Sequence, residues 1–241
     1  PYELDTGDYT RRYCLPSADH FLGCDGNGND VLTAMLYGAR TTLYVGFLTV
    51  LLSVVLGVSL GLIAGYFRGV WDLIIMRAVD MIMAFPGILL AMAMAALMGP
   101  SLNNVILAIT VTGWTSSARL VRGQVLSLTE REYVTACRAL GAKDLRIILQ
   151  HVFPGTLSPL IVHATFSLSG VIIIEASLSF LGLGAQDGAP TWGALLGQGK
   201  NAITQAPHLS LVPGFAIMVI VLALNFMGDA LRDFLDPRDN H

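Results

Sequence analysis

The feature that most constrains this sequence is the length of its uncharged runs. No charged residue occurs over the 38 positions from Met81 to Ala118, and none occurs over the 24 positions from Leu43 to Tyr66. About 20 consecutive apolar residues suffice for a helix to cross a bilayer, whereas surface helices of soluble proteins carry charge on one face. Charged residues make up 13% of the chain, against roughly 25% in a typical soluble domain. We therefore predict an all-α, polytopic membrane helix bundle.

Five membrane spans are predicted from these runs. The break near 98–104 divides the longest run into two spans. The predicted spans cover residues 43–66, 73–98, 105–121, 152–174 and 211–231. Pro86 falls inside the second span and is expected to kink it. Because broken helices line cavities in transporters, Pro86 is a candidate pathway residue.

Lysine and arginine give the predicted orientation, because cytoplasmic loops carry an excess of both. Ten of them fall on one side: Arg68, Arg77, Arg119, Arg122, Arg131, Arg138, Lys143, Arg146, Arg232 and Arg238. The other side holds four, which are Arg11, Arg12, Arg40 and Lys200. We predict an extracytoplasmic segment at 1–40, a transmembrane domain at 41–231 and a cytosolic tail at 232–241. An external N-terminal segment with no preceding span is unusual, so we also expect a helix upstream of Pro1.

A polar segment at 130–155 lies on the predicted cytosolic side and carries two apolar stripes. One comprises Tyr133, Ala136, Cys137 and Leu140, and the other comprises Leu145, Ile148, Leu149 and Val152. This spacing predicts two short amphipathic helices, and Gly141 between them suits a helix C-cap. An apolar stripe outside the membrane has to be buried. Docking into a groove of a partner protein is one solution, and folding back on the bundle is the other.

Small residues form a second helical pattern, inside the first span. Gly57, Gly61 and Gly65 recur every four residues. Glycines at this spacing allow two membrane helices to approach closely. We predict a helix-packing face at these positions.

Ionisable residues within predicted spans are candidates for function. Glu175 has no nearby cation in the sequence, and we expect it to face the pathway and contact a cationic group of the substrate. His163 is a second pathway candidate. Arg77 and Asp80 are three residues apart on one helix face and can form an ion pair, so structural pairing or snorkelling is expected of them.

Several kinds of chemistry have no motif in the sequence. The three cysteines fit no metal-ligand spacing, so no metal site is predicted. Cys14 and Cys24 form a disulfide if their segment is exported, or stay unpaired as small residues. No paired carboxylates, nucleophile–base pattern or complete nucleotide-binding loop is present. These observations argue against an enzyme, and the small net charge of −3 argues against a nucleic-acid partner.

The stretch "EYVTACRALGAKDLRIILQHVFP" (132–154) resembles the EAA loop of bacterial ABC-importer permeases. Other landmarks resemble the C-type permease of the dipeptide, oligopeptide and nickel branch: "HFLGCDGNGNDVL", "YGAR", "RAVDMIMAFPGILLA", "EASLSFLGLG", "PTWGALL" and "GDALRDFLDPR". They extend from about His20 to Arg238 in the family's order. The departures are Thr135-Ala136-Cys137 in place of Glu-Ala-Ala, Gly23-Cys24-Asp25 in place of Gly-Thr-Asp, Gly28-Asn29-Asp30 in place of Gly-Arg-Asp, and the absence of the family's first span.

The resemblance implies a set of partners and a location. A second homologous permease subunit would complete the pathway, two cytosolic ABC ATPases would bind ATP and Mg and drive it, and an extracytoplasmic binding protein would deliver the substrate. The chain itself would need no cofactor. It would be a multi-pass protein of the bacterial cytoplasmic (inner) membrane, with the 130–155 segment and the C-terminus in the cytosol.

The resemblance also implies roles for individual residues. The helix from Glu132 to Leu140 would be the coupling helix, seated in a groove of one ATPase. Polar contacts at the groove rim would come from Glu132, Arg138 and Lys143, and the buried stripe would be Tyr133, Ala136, Cys137 and Leu140. Gly141 would permit the bend. His151 and Pro154 would anchor the segment to the following span.

The predicted function is therefore the permease subunit of an ATP-driven importer, with peptides as the favoured substrate. A nickel or other small-solute importer of the same family is the alternative. A membrane-embedded enzyme is a further alternative from a different class.

Overall fold

The computed structural model of the chain describes residues 7–184 and 190–235. Within these ranges the chain is helical and contains no β-strand, in agreement with the predicted all-α class. The α-helices are α1 (Val31–Phe67), α2 (Gly69–Met83), α3 (Gly87–Met98), α4 (Leu102–Leu128), α5 (Glu132–Ala139), α6 (Asp144–Ile147), α7 (Phe153–Phe180), α8 (Trp192–Gly199) and α9 (His208–Leu235). A π-helical turn, Ile148–Val152, joins α6 to α7.

Among the residues that the structure describes, three stretches of helix are long and apolar enough to cross a membrane. They are Val31–Phe67, Asp144–Phe180 and His208–Leu235. The 37 residues of α1 correspond to roughly 55 Å at 1.5 Å per residue, more than the ~30 Å of a bilayer's hydrocarbon core. These helices support a multi-pass membrane protein.

The predicted span at 73–98 is not one continuous helix. It is divided between α2 and α3, which together are apolar enough to cross a membrane but are bent by 86°. Pro86 gives the physical reason, because proline has no N–H to donate and disfavours helical backbone in the residue before it. The next helix begins at Gly87, directly after this proline. The expected kink is therefore a full break.

The predicted span at 105–121 lies within α4, which has 27 residues. Asparagine, threonine, serine and arginine side chains interrupt this helix, so it is less apolar than the three helical stretches above. The length of α4 is sufficient for a span, but its composition alone does not identify it as one.

The chain forms two compact units. Unit 1 comprises Pro1–Leu48, Ala91–Ile109 and Ser169–Ala223. Its apolar core is formed by Val31, Met35, Trp192, Ala202, Ala206 and Leu209. The Trp192 side chain donates from Nε1 to the carbonyl of Met35 (3.0 Å), and its backbone N–H donates to Thr42 Oγ1 (3.2 Å). These bonds fix the start of α8 against α1.

Residues 7–30, here called the N-terminal cap, precede α1 in unit 1. Asp30 caps α1, because its Oδ2 accepts from the backbone N–H of Thr33 (2.8 Å) while its Oδ1 lies 3.0 Å from His20 Nδ1. Burial alone would raise the pKa of Asp30, but the hydrogen bonds with His20 and Thr33 outweigh it and lower this pKa. Cys14 and Cys24 form a disulfide, which decides between the two alternatives left by the sequence.

Unit 2 comprises Thr49–Leu90, Thr110–Leu168 and Leu224–His241. Its larger core cluster is formed by Tyr66, Val121, Val125, Val134, Ile147, Ile148, Val152 and Leu160. The glycine face of α1 lies against α4 in this unit. A Cβ at Gly61 would be 2.7 Å from the carbonyl oxygen of Ala118, and similar obstacles face Gly57 and Gly65. Helix α1 thus approaches α4 closely at these glycines, which have no side chain to keep the two helices apart.

Candidate coupling segment and pathway residues

The 130–155 segment folds as two short helices joined at Gly141, as its apolar spacing predicts. Helix α5 ends in a Schellman-type cap, in which Gly141 N–H donates to the Arg138 carbonyl (3.0 Å) and Ala142 N–H to the Cys137 carbonyl (3.1 Å). The φ of Gly141 is +82°, a conformation that residues with a side chain rarely adopt. Nothing lies within 4 Å of its Cβ position, so the requirement for glycine here is conformational and not steric.

One face of the segment belongs to the core of unit 2. Val134, Ile147 and Val152 are fully buried, and all three belong to the cluster that contains Tyr66. This contact was not predicted, because Val134 falls outside both stripes. Its spacing of three residues from Cys137, which is also partly buried, is the signal that could have revealed this inner face.

The opposite face of the segment is apolar and exposed. Leu140 is 88% exposed, Leu145 is 68% exposed and Leu149 is 54% exposed. In the first predicted stripe Tyr133, Ala136 and Leu140 are exposed, and Cys137 is half-buried. Most of this stripe therefore does not fold back onto the chain's own core.

The second predicted stripe is divided between the two faces, which corrects the expectation of one continuous surface. Ile148 and Val152 are buried, whereas Leu145 and Leu149 are exposed. The π-helical turn at Ile148–Val152 explains the difference. Its wider turn shifts the phase of the side chains away from the 3.6-residue period assumed for a regular helix.

His151 connects the end of the segment to α5. Its Nε2 lies 3.7 Å from Cys137 Sγ, and its carbonyl accepts from the Tyr133 hydroxyl at 3.5 Å. Both contacts are long for hydrogen bonds and are correspondingly weak. Pro154 lies in the first turn of α7, directly after the π-helical turn, and cannot donate a backbone hydrogen bond to that turn.

Tyr66 of α1 contacts both helices of the segment. The Tyr66 hydroxyl donates to Asp144 Oδ1 (2.6 Å), and the Arg138 guanidinium lies 5.7 Å from the centre of the Tyr66 ring. Glu132, Arg138 and Lys143 are exposed, as groups at the rim of a docking site would be. Tyr66 was not predicted, since no sequence spacing connects it to residues more than 70 positions away.

Ion pairs tie α2 to α4 in the same unit. Asp72 binds Arg122 through both carboxylate oxygens, with Oδ2 accepting from a guanidinium nitrogen at 2.7 Å. Asp80 pairs with Arg119 at 2.9 Å. The expected pair between Arg77 and Asp80 is therefore wrong, because Asp80 is turned toward α4 instead of along its own helix.

The candidate pathway residue Glu175 is buried in unit 1, with 2% of its surface exposed. The Ser179 hydroxyl donates to Glu175 Oε1 (2.7 Å). Thr191 also interacts with the carboxyl group, but no hydrogen bond of normal geometry reaches Oε2 from the described residues. The structure does not place Glu175 on an open surface, and its contact with substrate stays a prediction.

The candidate pathway residue His163 lies in unit 2, on the wall of a pocket of about 430 Å³. Its Nε2 is 3.4 Å from the hydroxyls of Ser116 and Ser167. Arg232 and Phe166 line the same pocket. Pro86, the third pathway candidate, stands at the break between α2 and α3. Pro86 and His163 belong to unit 2, whereas Glu175 belongs to unit 1.

Metal ligation has no visible basis in the described parts of the chain. No group of three or more His, Cys, Asp or Glu side chains there could hold a metal ion. The distinctive features of the 130–155 segment are its exposed apolar surface and the glycine cap that ends α5.

Comparisons with known proteins agree on one family. The family model described as "binding-protein-dependent transport system inner membrane component" matches residues 57–240. The dipeptide transport system permease protein DppC of Alkalihalophilus pseudofirmus is 47% identical over 223 residues, which are 92% of this chain and 73% of that protein. The glutathione transport system permease protein GsiD of Pectobacterium atrosepticum is 44% identical, over 99% of this chain and 79% of that protein.

Solved structures give the same fold. An inward-facing structure of the MetNI methionine ABC transporter matches with a TM-score of 0.67 and 20% identity, over 85% of this chain and 97% of that one. An amino acid ABC transporter solved with histidines matches with a TM-score of 0.65 and 13% identity, over 84% and 94%. At these identities the likeness concerns the fold.

The family is one of transport components and not of enzymes: its members are inner membrane components of systems that depend on a binding protein. By its sequence match, its apolar helices and its fold, this chain belongs to the family of inner membrane components of binding-protein-dependent transport systems.

Proposed function

We propose that this chain is a permease subunit of an ATP-driven peptide importer. The relatives described above are named for dipeptide and glutathione transport, and glutathione is itself a tripeptide. This chemistry favours short peptides over the nickel or small-solute alternative. The family match argues against the alternative of a membrane-embedded enzyme.

The proposed topology has five spans in this chain, with α2 and α3 counted as one broken span and α4 as another. Residues 1–40 lie outside, and the 130–155 segment and the 232–241 tail lie in the cytosol. The excess of lysine and arginine on that side supports this orientation. A second homologous permease subunit completes the pathway.

The proposed coupling element is α5 with the turn that follows it. Two cytosolic ATPase subunits bind ATP and Mg, and one of them receives Glu132–Leu140 in a groove. The observation that carries this proposal is the two-sided character of the segment. Val134 and Val152 join it to the core of unit 2, while Leu140 and Tyr133 remain exposed on its other side. An apolar patch outside the membrane marks a protein-binding surface.

The inner face gives the segment its mechanical role. Because Val134 and Ile147 are fully buried in the same cluster as Val121, a displacement of α5 is passed directly to α4 and α7 through close-packed side chains. ATP binding can shift the pathway between its states only if the ATPases bind those states with different free energy. A segment packed into the bundle on one side and docked on the other provides that difference.

Substitution of Leu140 tests the docking proposal. Burial of a leucine side chain contributes about 1.5–3 kcal/mol, so Leu140→Ala should weaken ATPase binding by about 10-fold or more. Leu140→Asp should abolish it, since a charge would be buried without a partner. The measurement is recovery of the ATPases with the affinity-tagged permease, together with uptake of a labelled dipeptide.

Leu15→Asp is the matched control. Leu15 is 70% exposed and lies in the N-terminal cap, which the proposed topology places outside the cytosol. The control should retain both ATPases and uptake. Full ATPase recovery and normal uptake by Leu140→Asp would contradict the proposed role of α5.

Glu175 and His163 are proposed as pathway residues in a state that differs from the one described. A buried carboxyl with one unsatisfied oxygen suits a peptide ammonium group once its end of the bundle opens. Glu175→Gln keeps the shape and removes the charge. Reduced uptake at unchanged membrane levels would support the role, and normal uptake of all peptides tested would remove it.

A further inference from the structure

The Cys14–Cys24 disulfide lies at one end of a short backbone pairing in the N-terminal cap. Tyr13 N–H donates to the carbonyl of Asp25, and Cys24 N–H donates to the carbonyl of Cys14, both at 3.0 Å. The Arg12 side chain donates to the carbonyl of Gly26. Residues 12–14 therefore run beside residues 24–26, and the covalent bond joins the two segments at the end of the pairing, where Cys14 faces Cys24.

This paired part of the cap forms one wall of a cavity of about 250 Å³ within unit 1. Tyr13 and Asp25 line it from the cap, and Met35, Gln198 and Leu209 line it from α1, α8 and α9. Tyr13 also packs against the apolar core of the unit. The segment that includes Tyr13 and Cys14 thus contributes to one wall of this cavity.

The third cysteine is in the opposite chemical state. Cys137, the free cysteine of the described residues, lies in α5, next to His151. Disulfides form and persist in oxidising compartments and are rare in the cytosol. The bonded pair in the cap therefore fits an oxidising compartment outside the cytosol. This evidence for the side of the cap is independent of the lysine and arginine count.

We propose that Cys14 and Cys24 are a site of oxidative modification: after export, the disulfide between them closes the N-terminal cap by holding residues 12–14 against residues 24–26. The two thiols are oxidised by a thiol–disulfide oxidant of the extracytoplasmic compartment. One thiolate attacks the oxidant's disulfide to form a mixed disulfide, and the second thiolate displaces the oxidant's remaining sulfur. The cap loses two electrons and two protons, and the oxidant leaves as a dithiol. The inference rests on the topology given under the proposed function.

Thiol labelling of the complete transporter in intact cells tests both the bond and its side. After denaturation, a maleimide carrying a polyethylene glycol chain should add to one of the three cysteines of untreated protein. Prior treatment of the cells with a membrane-impermeant phosphine reductant should expose all three. Addition to three cysteines without reductant, or no change on treatment, would overturn the proposal. Neither result depends on transport activity.

Hydrogen exchange on the purified complex tests what the bond holds in place. For a closed loop with a sequence separation of 10, chain entropy predicts that reduction increases local opening by roughly 100-fold. Faster exchange should be confined to the amides of Tyr13, Cys24 and Asp25, with the amide of Trp192 as an internal reference. The Cys14→Ser/Cys24→Ser variant should show the fast exchange without reductant. Unchanged exchange in both samples would show that the cap stays closed without the bond.

Uptake distinguishes a failure of this inference from a failure of the proposed function. Reductant should lower dipeptide uptake by the natural chain and should have no further effect on Cys14→Ser/Cys24→Ser, which controls for reduction of the partner subunits. An equal effect of reductant on both would overturn the role of the bond while leaving the peptide importer intact. Absence of uptake in every sample, with normal labelling and exchange results, would count against the proposed function alone.

Discussion

The substitution Gly61→Ala should destabilise the protein, although alanine is the better helix former. In a helix interior this change is worth about 1 kcal/mol in favour of alanine. Here the added methyl would lie 2.7 Å from the Ala118 carbonyl oxygen and 2.9 Å from Val121 Cβ. Neither atom can move aside by rotation of a side chain. Helices α1 and α4 would have to separate by on the order of 0.5 Å to restore an ordinary contact.

Overpacking of this kind costs typically about 1–3 kcal/mol, and an obstacle made of backbone places Gly61 at the upper end. The net loss is therefore about 2 kcal/mol, which corresponds to a fall in Tm of about 4–8 °C for a chain of this size. Gly123→Ala in α4 is the matched control. Nothing lies within 4 Å of its Cβ position, so it should raise Tm by about 2–4 °C.

The assay measures Tm in lipid nanodiscs. After heating, the fraction of fluorescently tagged protein that still elutes as a folded complex is determined by size-exclusion chromatography. The opposite signs of the two changes are the essential result. If Gly61→Ala melted at or above the natural protein, α1 and α4 would not be packed at the described distance. Gly61→Val should be worse than Gly61→Ala for the same reason.

Two further predictions concern charged groups. Arg122→Gln should lower stability by about 1–3 kcal/mol in the same assay, because it leaves the carboxylate of Asp72 without its bidentate partner. Recovery of stability in the double variant Arg122→Gln/Asp72→Asn would show that the pair acts as a unit, and additive losses would contradict this. Burial opposes the change, but hydrogen bonds with His20 and Thr33 lower the pKa of Asp30. The stabilising effect of the Asp30 carboxylate on the start of α1 is therefore complete above the unfolded-state pKa of about 3.9. It declines as the pH falls through the lower pKa of the folded state. Hydrogen exchange of the first turn of α1 should therefore rise at low pH, and Asp30→Ala should remove that dependence; equal profiles for the two proteins would refute the role of Asp30.

The sequence by itself determined that this protein lies in a membrane and that it is built of helices. Uncharged runs of more than 20 residues dictate helices in a bilayer, because each backbone group must find a partner within its own segment. The four-residue spacing of Gly57, Gly61 and Gly65 marked a face that does contact another helix. Gly141 marked the end of α5, because its conformation is a local property of the chain.

Only the tertiary structure decided which partner each face meets. The sequence spacing predicted an ion pair between Arg77 and Asp80, but the pair is made with Arg119 on another helix. Periodicity placed Ile148 and Leu149 on one stripe, and the π-helical turn separates them. Contacts such as that of Tyr66 with Asp144 join residues far apart in sequence, and a short-range pattern carries no information about them. Local conformation follows from neighbouring residues, whereas the choice between packing inward and facing outward depends on every surface that competes for the same contact.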